Sequence, residues 1–186
     1  MTADTGLILI RLARTAIARE LGREQPPPED APWLHEPGAT FVTLMQAERL
    51  RGCIGSLRAH RPLAQDVAAN AVAAAFRDPR FRPLRAEEFA ATDIEVSLLS
   101  ALQPLEVRNE AHALEQLEPG VHGLVFQYGH HQSTFLPQVW EQFDQPQEFL
   151  AHLKYKAGLP PDFWDPQVKL QRYTVSKWRE QDTRAK

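Results

Sequence analysis

The sequence predicts an α+β fold, and three kinds of pattern support it. Apolar residues recur at helical spacing near the N-terminus, apolar and polar residues alternate over residues 93–100, and two pairs of strand-forming runs are separated by short turns. The chain has 186 residues, of which 43% are hydrophobic, and this is enough to bury one good core. We therefore expect one domain, which can be divided into two lobes.

The first two elements are a helix and a proline-rich loop. Leu9, Ala13 and Ile17 share one face of a helix over residues 7–21, and Gly22 suits the C-terminal end of that helix. Residues 25–37 contain five prolines, whose fixed φ and missing N–H groups favour an extended loop over any regular element.

A hairpin and an alanine-rich helix come next. Residues 40–45 and 50–57 are strand-prone and are joined by the short polar segment 46–48, so we expect them to be antiparallel neighbours. Pro62 suits the start of a helix, which should end near Asp78 because the residue before a proline avoids helical geometry. Its many alanines between 68 and 75 would let a sheet or a second helix approach closely.

The remaining elements follow from the same rules. In the strand at 93–100, Ile94 and Val96 alternate with Glu95 and Ser97, which predicts one buried face and one polar face. We also predict a short helix at 86–90, a helix at 109–117, a hairpin at 121–136, a short helix from Pro137, a helix at 149–157 and a last strand at 168–175.

Charge and composition disfavour several classes of function. The 21 Lys and Arg residues oppose 24 Asp and Glu residues, and without a block of like charge a nucleic-acid regulatory domain is the least favoured class. Asp4 precedes the apolar residues 7–10 and Arg11 and Arg14 follow them, so neither a signal peptide nor a membrane span fits. We expect a cytoplasmic protein that does not enter a membrane.

Metal and cofactor sites are not indicated either. The seven histidines include no His-x-x-x-His pair, and Cys53 is the single cysteine, so the sequence offers no ligand set for a metal. It also lacks a Gly-x-Gly-x-x-Gly motif, a Walker loop and a Gly-x-Ser-x-Gly elbow. We expect no metal and no cofactor in this chain.

The segment Arg51-Gly52-Cys53-Ile54-Gly55 is the leading candidate for a functional surface. Strand alternation would place Leu50 and Ile54 on one face and Arg51 and Cys53 on the other. A guanidinium near the sulfur would favour the thiolate, the form that attacks electrophiles, and this makes Cys53 a candidate catalytic nucleophile. The alternative is that Cys53 is a small buried filler. Gly52 and Gly55 could permit a bulge or the close approach of a ligand to the backbone, or could serve the close packing of another strand or helix.

Polar residues elsewhere could complete a cleft. Glu95 and Ser97 share a strand face, and in one sheet with Arg51 and Cys53 they could form one wall of a concave site. Arg80 could bind an anionic ligand through two hydrogen bonds, or could tie the end of a helix. For Glu95 and Ser97 the alternative is a solvated sheet face.

An ordered set of segments resembles one family. Leu50-Arg51-Gly52-Cys53-Ile54-Gly55 is similar to the signature hexapeptide of the AMMECR family, whose bacterial and archaeal members are called AmmeMemoRadiSam system protein A. The resemblance covers about residues 41–173. The other matching segments are Phe41-Val42-Thr43-Leu44, Asp78-Pro79-Arg80-Phe81, Ile94-Glu95-Val96-Ser97-Leu98-Leu99, His122-Gly123-Leu124, Phe135-Leu136-Pro137-Gln138-Val139 and Lys156-Ala157-Gly158-Leu159.

The resemblance implies a fold, a site and partners, but no particular reaction. It implies an α+β fold with an antiparallel sheet and packed helices, as a single domain over residues 1–186 with an N-terminal part (1–40) and a family core (41–176). It places a cleft, which two lobes could enclose, near the hexapeptide. The expected ligand-binding or cleft residues are Arg51, Gly52, Ile54, Gly55, Arg80, Glu95, Ser97, His122 and Gln138, and His122 is the best histidine partner for Cys53.

Two functions stay open. In the first, the chain is a binding or accessory module that works with a radical-SAM protein and a Memo-like protein, and its cleft holds a small anionic ligand or a partner's chain terminus. Any radical-SAM cluster would then belong to the partner. In the second, the chain is an enzyme with Cys53 as nucleophile or redox thiol.

Overall fold

The computed structural model describes residues 3–26 and 29–184, so Pro27 and Pro28 of the predicted loop lie outside the described residues. The chain forms two compact units, of which the first comprises residues 1–99 and 176–186 and the second residues 100–175. Each unit has its own sheet and its own apolar core. The predicted α+β class with antiparallel sheets is confirmed, and the assignment of the chain to a single domain stays a prediction.

The first unit is a four-stranded sheet with helices packed on one face. Its elements are α1 (Ala3–Glu20), β1 (Thr40–Gln46), β2 (Arg49–Gly55), α2 (Leu63–Phe76), β3 (Asp93–Leu99), β8 (Val175–Arg179) and α5 (Glu180–Arg184). The strand order is β2-β1-β3-β8, so β2 is an edge strand. Short 3-10 helices lie at Pro32–His35 and Phe89–Ala91.

Strand alternation decides which side chains meet the helices. Val42 and Leu44 of β1 and Ile94 and Val96 of β3 are fully buried in one core with apolar residues of α1 and α2. Helix α2 approaches the sheet closely at Gly52, where the missing side chain leaves room for the backbone carbonyl of Ala74. The close packing predicted for the alanine-rich helix is therefore confirmed.

The hairpin of β1 and β2 contains an irregularity that decides the facing of the hexapeptide. Its antiparallel pairing is confirmed, and a two-residue turn at Ala47 and Glu48, both with positive φ, connects the strands. Gly52 pairs with Leu44 but Leu50 pairs with Met45, so Arg51 is an extra residue, a β-bulge. Leu50 therefore shares the face of Met45, and the expectation that Leu50 and Ile54 share a face is wrong.

The second unit has its own four-stranded sheet, in the order β4-β7-β5-β6. Its elements are β4 (Gln103–Leu105), α3 (Glu110–Glu115), β5 (Gly123–Tyr128), β6 (His131–Phe135), α4 (Pro146–Lys156) and β7 (Lys169–Tyr173), with a 3-10 helix at Pro137–Gln142. The ring of Phe149 stacks on Trp140 at 3.6 Å between centroids in the core. The hairpin predicted at 121–136 corresponds to β5 and β6.

Four elements escaped the sequence analysis: strands β4 and β8, helix α5 and the 3-10 helix at Pro32–His35. Strand β4 and helix α5 have three and five residues, too few for periodicity to reveal. Residues 168–175 were expected to form one strand. Strand β7 instead ends at Tyr173, and a new strand, β8, begins at Val175 and joins the sheet of the first unit. The proline-rich loop also contains a helical turn, because Pro32 is compatible with the first position of a 3-10 helix. Among the described residues, no helix is long and apolar enough to cross a membrane.

Candidate functional site

Cys53 of the hexapeptide begins a row of polar side chains across the first sheet. This row lies on the face of the sheet that points away from the helices. Cys53 pairs with Thr43 of β1, and Thr43 pairs with Glu95 of β3. The Thr43 hydroxyl donates to the Cys53 sulfur at 3.2 Å. Ser97 lies two residues beyond Glu95 and therefore on the same face. The structure thus brings Cys53, Glu95 and Ser97 to one face.

Side chains, rather than another strand, bond the outer edge of β2 at Cys53. The Cys53 N–H donates to the Asp78 carboxylate at 2.9 Å, and the Arg80 guanidinium donates to the Cys53 carbonyl at 3.2 Å. Asp78 and Arg80 are themselves paired at 2.8 Å. The hydrogen bond from Arg80 holds the pKa of Asp78 well below its usual range, because it stabilises the carboxylate form. The guanidinium found at Cys53 is thus that of Arg80.

Arg51, the bulged residue, binds the segment that follows Asp78. Its guanidinium donates to both carboxylate oxygens of Glu88, each at 3.2 Å, and to the carbonyls of Arg82 and Pro83 at 2.9 and 3.4 Å. Hydrogen bonds from Arg51 lower the pKa of Glu88. The Arg51 side chain is only 13% exposed and donates hydrogen bonds to four acceptor atoms of this segment, so Arg51 serves as an anchor for it.

A basic depression of about 790 Å³ lies beside this anchor. Four arginines and two glutamates contribute to its wall, so positive charge predominates. Phe81 and Pro83 add apolar surface. We call it the basic depression, and its lining residues are Arg51, Arg80, Phe81, Arg82, Pro83, Arg85, Glu87 and Glu88.

Glu95 is buried but fully neutralised. It is 6% exposed, and its carboxylate accepts from Arg179 at 2.6 Å and pairs with Lys177 at 3.2 Å. The hydrogen bond with Glu95 raises the pKa of Arg179. Both cations come from β8, a strand that the sequence analysis did not predict. The carboxylate therefore already has two partners in the protein.

Packing accounts for the remaining hexapeptide residues. A Cβ atom at Gly52 would collide with the Ala74 carbonyl oxygen, and one at Gly55 would collide with the ring of Phe41. Ile54 packs against the core between the sheet and the helices. Neither glycine has a positive φ, so close approach, and not backbone conformation, explains the need for glycine.

Two predicted site residues belong to the second unit, whereas Cys53 belongs to the first. His122 accepts a hydrogen bond from the Glu118 N–H at 2.9 Å through Nδ1, and its carbonyl accepts one from the Trp140 indole at 2.6 Å. Burial lowers the pKa of His122, which favours the neutral ring. Gln138 is exposed on the 3-10 helix that Pro137 begins.

Sequence reasoning missed several residues that build this region. Arg82, Arg85 and Glu88 had no recognisable pattern, although three arginines within 80–85 could have signalled a basic surface. Asp78 was interpreted only as the end of a helix. Its role at Cys53 depends on a contact between residues 25 apart in sequence, which no local pattern reveals.

Comparison with other proteins identifies relatives of this chain. A 36% identical protein from Methanothermobacter thermautotrophicus matches 97% of this chain and 96% of its own length, and a 39% identical protein from Thermococcus gammatolerans matches 96% and 91%. The crystal structure of the uncharacterised protein PH0010 from Pyrococcus horikoshii is similar with a TM-score of 0.83 and 36% identity, covering 97% of this chain and 93% of that one.

The model of the AMMECR1 family matches residues 10–178, which include the hexapeptide, the segment 78–88 and the sheets of both units. With a match over most of its length, the chain belongs to the AMMECR1 family.

Proposed function

We propose that the chain is a binding module that holds a small anionic ligand in the basic depression beside the hexapeptide. The observation that carries the proposal is the lining of that depression, in which four arginines outnumber two glutamates. Guanidinium groups favour carboxylate and phosphate ligands, which they can bind through two parallel hydrogen bonds. A partner's C-terminal carboxylate is a second source of the same chemistry.

Within this proposal, the hexapeptide shapes the site. Arg51 binds Glu88 and the carbonyls of Arg82 and Pro83, so it holds in place the backbone that carries the other arginines. Cys53, through its backbone, holds Asp78 and Arg80. On this proposal the hexapeptide supports the ligand site, and the segment 80–88 provides the contacts.

The family resemblance adds partners to the proposal. We propose that the module works with a radical-SAM protein and a Memo-like protein, to which it would present its ligand or bind directly. Co-purification of the three proteins, with and without the variants described below, tests for direct association. Elution of each protein by itself under all conditions would contradict a physical complex.

Capture by the purified chain tests the binding function. Small molecules and proteins retained by the wild type are compared with those retained by Arg51→Ala and Cys53→Ser variants. We expect Arg51→Ala to lose anionic ligands because the segment 82–88 loses its anchor, and Cys53→Ser to retain most of them because the Cys53 contacts to Asp78 and Arg80 come from the backbone. Unchanged capture by Arg51→Ala would contradict the proposal, provided that melting curves show both variants folded.

Thiol chemistry at Cys53 is the alternative, and one contact favours it. The Thr43 hydroxyl donates to the sulfur, and Cys53 is a partly exposed residue. This alternative predicts that native Cys53 reacts with iodoacetamide faster than a free cysteine, and that Cys53→Ser abolishes any turnover while leaving binding intact, since serine is a far poorer nucleophile without an activating base. A native thiol that resists alkylation would contradict it.

A further inference from the structure

Two of the four arginines in the basic depression are already bound within the protein. Arg51 binds Glu88, and Arg80 binds Asp78. Arg82 and Arg85 are exposed, and over residues 3–26 and 29–184 their side chains have no hydrogen-bond or ion-pair partner. These two guanidiniums are therefore the free donors of the depression.

The backbone that carries the two free arginines is held at three points. The Arg82 carbonyl accepts from Arg51 at 2.9 Å, and the Arg85 N–H donates to Glu88 at 2.9 Å. Between them, Leu84 is 4% exposed and donates its N–H to the Ala75 carbonyl at 2.8 Å. Folding itself has therefore ordered this loop, so a ligand need only immobilise the two side chains.

We infer that Arg82 and Arg85 together bind the phosphate group of a small phosphate monoester. The inference rests on the proposed anion-binding function and adds the chemical class of the ligand. One guanidinium fork can satisfy both oxygens of a carboxylate. A phosphate monoester has three terminal oxygens and close to two negative charges, so it can accept from two forks at once.

Two other parts of the lining affect this selectivity, one in favour of a phosphate monoester and one against it. Phe81 and Pro83 offer apolar contact to the organic part of an ester, which inorganic phosphate lacks. Glu87 is an exposed carboxylate in the same lining, and it repels a dianion more strongly than a monoanion. Removal of its charge by Glu87→Gln should therefore tighten the binding of a phosphate monoester.

The test uses calorimetry on the full-length chain with phenyl phosphate and benzoate, which share a ring and differ in the anionic group. At about pH 7.5, where the monoester is a dianion, we expect phenyl phosphate to bind about tenfold more tightly than benzoate. Arg82→Ala and Arg85→Ala should each weaken the binding of phenyl phosphate about tenfold. The affinity of Arg82→Lys for phenyl phosphate should lie between those of the wild type and Arg82→Ala. Lysine keeps the positive charge but lacks the two parallel donors of a guanidinium.

Two controls limit the interpretation. Arg108→Ala, which removes an exposed arginine of the second unit, should leave the affinity unchanged. Inorganic phosphate should bind a few times more weakly than phenyl phosphate because it cannot contact Phe81 and Pro83. Equal affinity for these two probes would overturn the monoester in favour of free phosphate.

The outcomes separate this inference from the function on which it rests. Equal affinities for phenyl phosphate and benzoate, both lost in Arg82→Ala, would overturn the phosphate class and leave anion binding intact. Phenyl phosphate binding that survives both alanine variants would overturn the assignment of Arg82 and Arg85. If the wild type binds neither probe and captures no other anion, the inference and the proposed function both fail.

Discussion

Strand β2 lies at the edge of its sheet, yet the backbone N–H and carbonyl of Cys53 are both hydrogen-bonded on the open side, as they would be in an inner strand. Asp78 accepts from its N–H and Arg80 donates to its carbonyl. Unpaired strand edges favour association with other chains, so this pair of side chains also protects the sheet. The thiol itself faces Thr43 on the side of the sheet away from the helices. At this residue the structural role of the backbone and any chemical role of the sulfur are separate.

Gly52→Ala tests the close approach of α2 to the hexapeptide. The added Cβ would collide with the Ala74 carbonyl, a backbone atom that cannot rotate away, so we expect a loss of about 1–3 kcal/mol in the free energy of unfolding. Urea denaturation measures the change. Leu50→Ala on the same strand is the control and should cost much less, since Leu50 is 41% exposed. Equal effects of the two substitutions would argue against the packing explanation.

Asp78→Asn tests the clamp on Cys53 through its pH dependence. The pKa of Asp78 is depressed in the folded protein, so its stabilisation is present above the unfolded pKa of about 3.9 and is lost as the pH falls below that value. At neutral pH we expect Asp78→Asn to cost about 1–3 kcal/mol, because Asp78 is buried and bonds Cys53 and Arg80.

The measurement is urea denaturation of Asp78→Asn and wild type at neutral pH and near pH 3. The difference between the two proteins should narrow at the lower pH, because the carboxyl group of Asp78 then binds a proton in the unfolded wild type but stays ionised in the folded protein, and this favours unfolding. A difference that stays constant over this range would show that Asp78 does not contribute as a carboxylate.

Between elements, a buried carboxylate joins α2 to the hairpin. Asp66 is fully buried and accepts from the Thr40 N–H, the Thr40 hydroxyl and the Asn70 amide at 2.7–2.9 Å. Ser56 and Arg61 donate to its other oxygen at 2.7 and 2.8 Å. The network therefore fixes the start of β1 and the residue after β2 to the first turn of the helix.

Asp66→Ala should be among the most damaging single changes in the first unit. It leaves several buried donors without an acceptor, and we expect a loss of about 3 kcal/mol or more in the free energy of unfolding. Thermal and urea denaturation measure it. Gln65→Ala, an exposed neighbour on the same helix, is the matched control and should change stability little. A small effect of Asp66→Ala would mean that water replaces the lost acceptor.

Elements with a long apolar pattern were predicted well, and their connections were not. Helices α1 and α2 and strands β1 and β3 follow from spacing because their buried faces repeat every three to four residues or every two, whereas β2 was predicted from its strand-prone residues. The position of the bulge, at Arg51, was not predicted, since register depends on which residue of β1 lies opposite. Without the bulge, strand alternation assigned Leu50 to the wrong face of β2.

At the scale of the whole molecule, the two units differ in how the chain forms them. The second unit is a continuous segment, 100–175, with its own sheet and core. The first unit is discontinuous, because β8 and α5 return to it after the second unit is complete. Trp178 packs over Gly6, and Glu180 pairs with Arg14 of α1. The C-terminal residues thus complete the first unit.

A fragment of residues 100–175 should therefore fold independently. We expect dispersed amide resonances and a cooperative thermal transition, because the fragment keeps β4, β7, β5, β6 and their core. A chain that ends at residue 175 should retain a folded second unit but lose stability in the first, which lacks its edge strand β8. A disordered 100–175 fragment would favour the single domain that the sequence predicts.

The sequence by itself determined the fold class, the family resemblance and the candidate segment, because periodicity and an ordered set of motifs are local properties of the chain. It also placed Glu95 and Ser97 on one polar strand face. Only the tertiary structure decided which guanidinium meets Cys53, which arginines are free and what Glu95 binds. Those answers depend on contacts such as Cys53 with Asp78 and Glu95 with Arg179, between residues 25 and 84 positions apart, and no local pattern specifies such contacts.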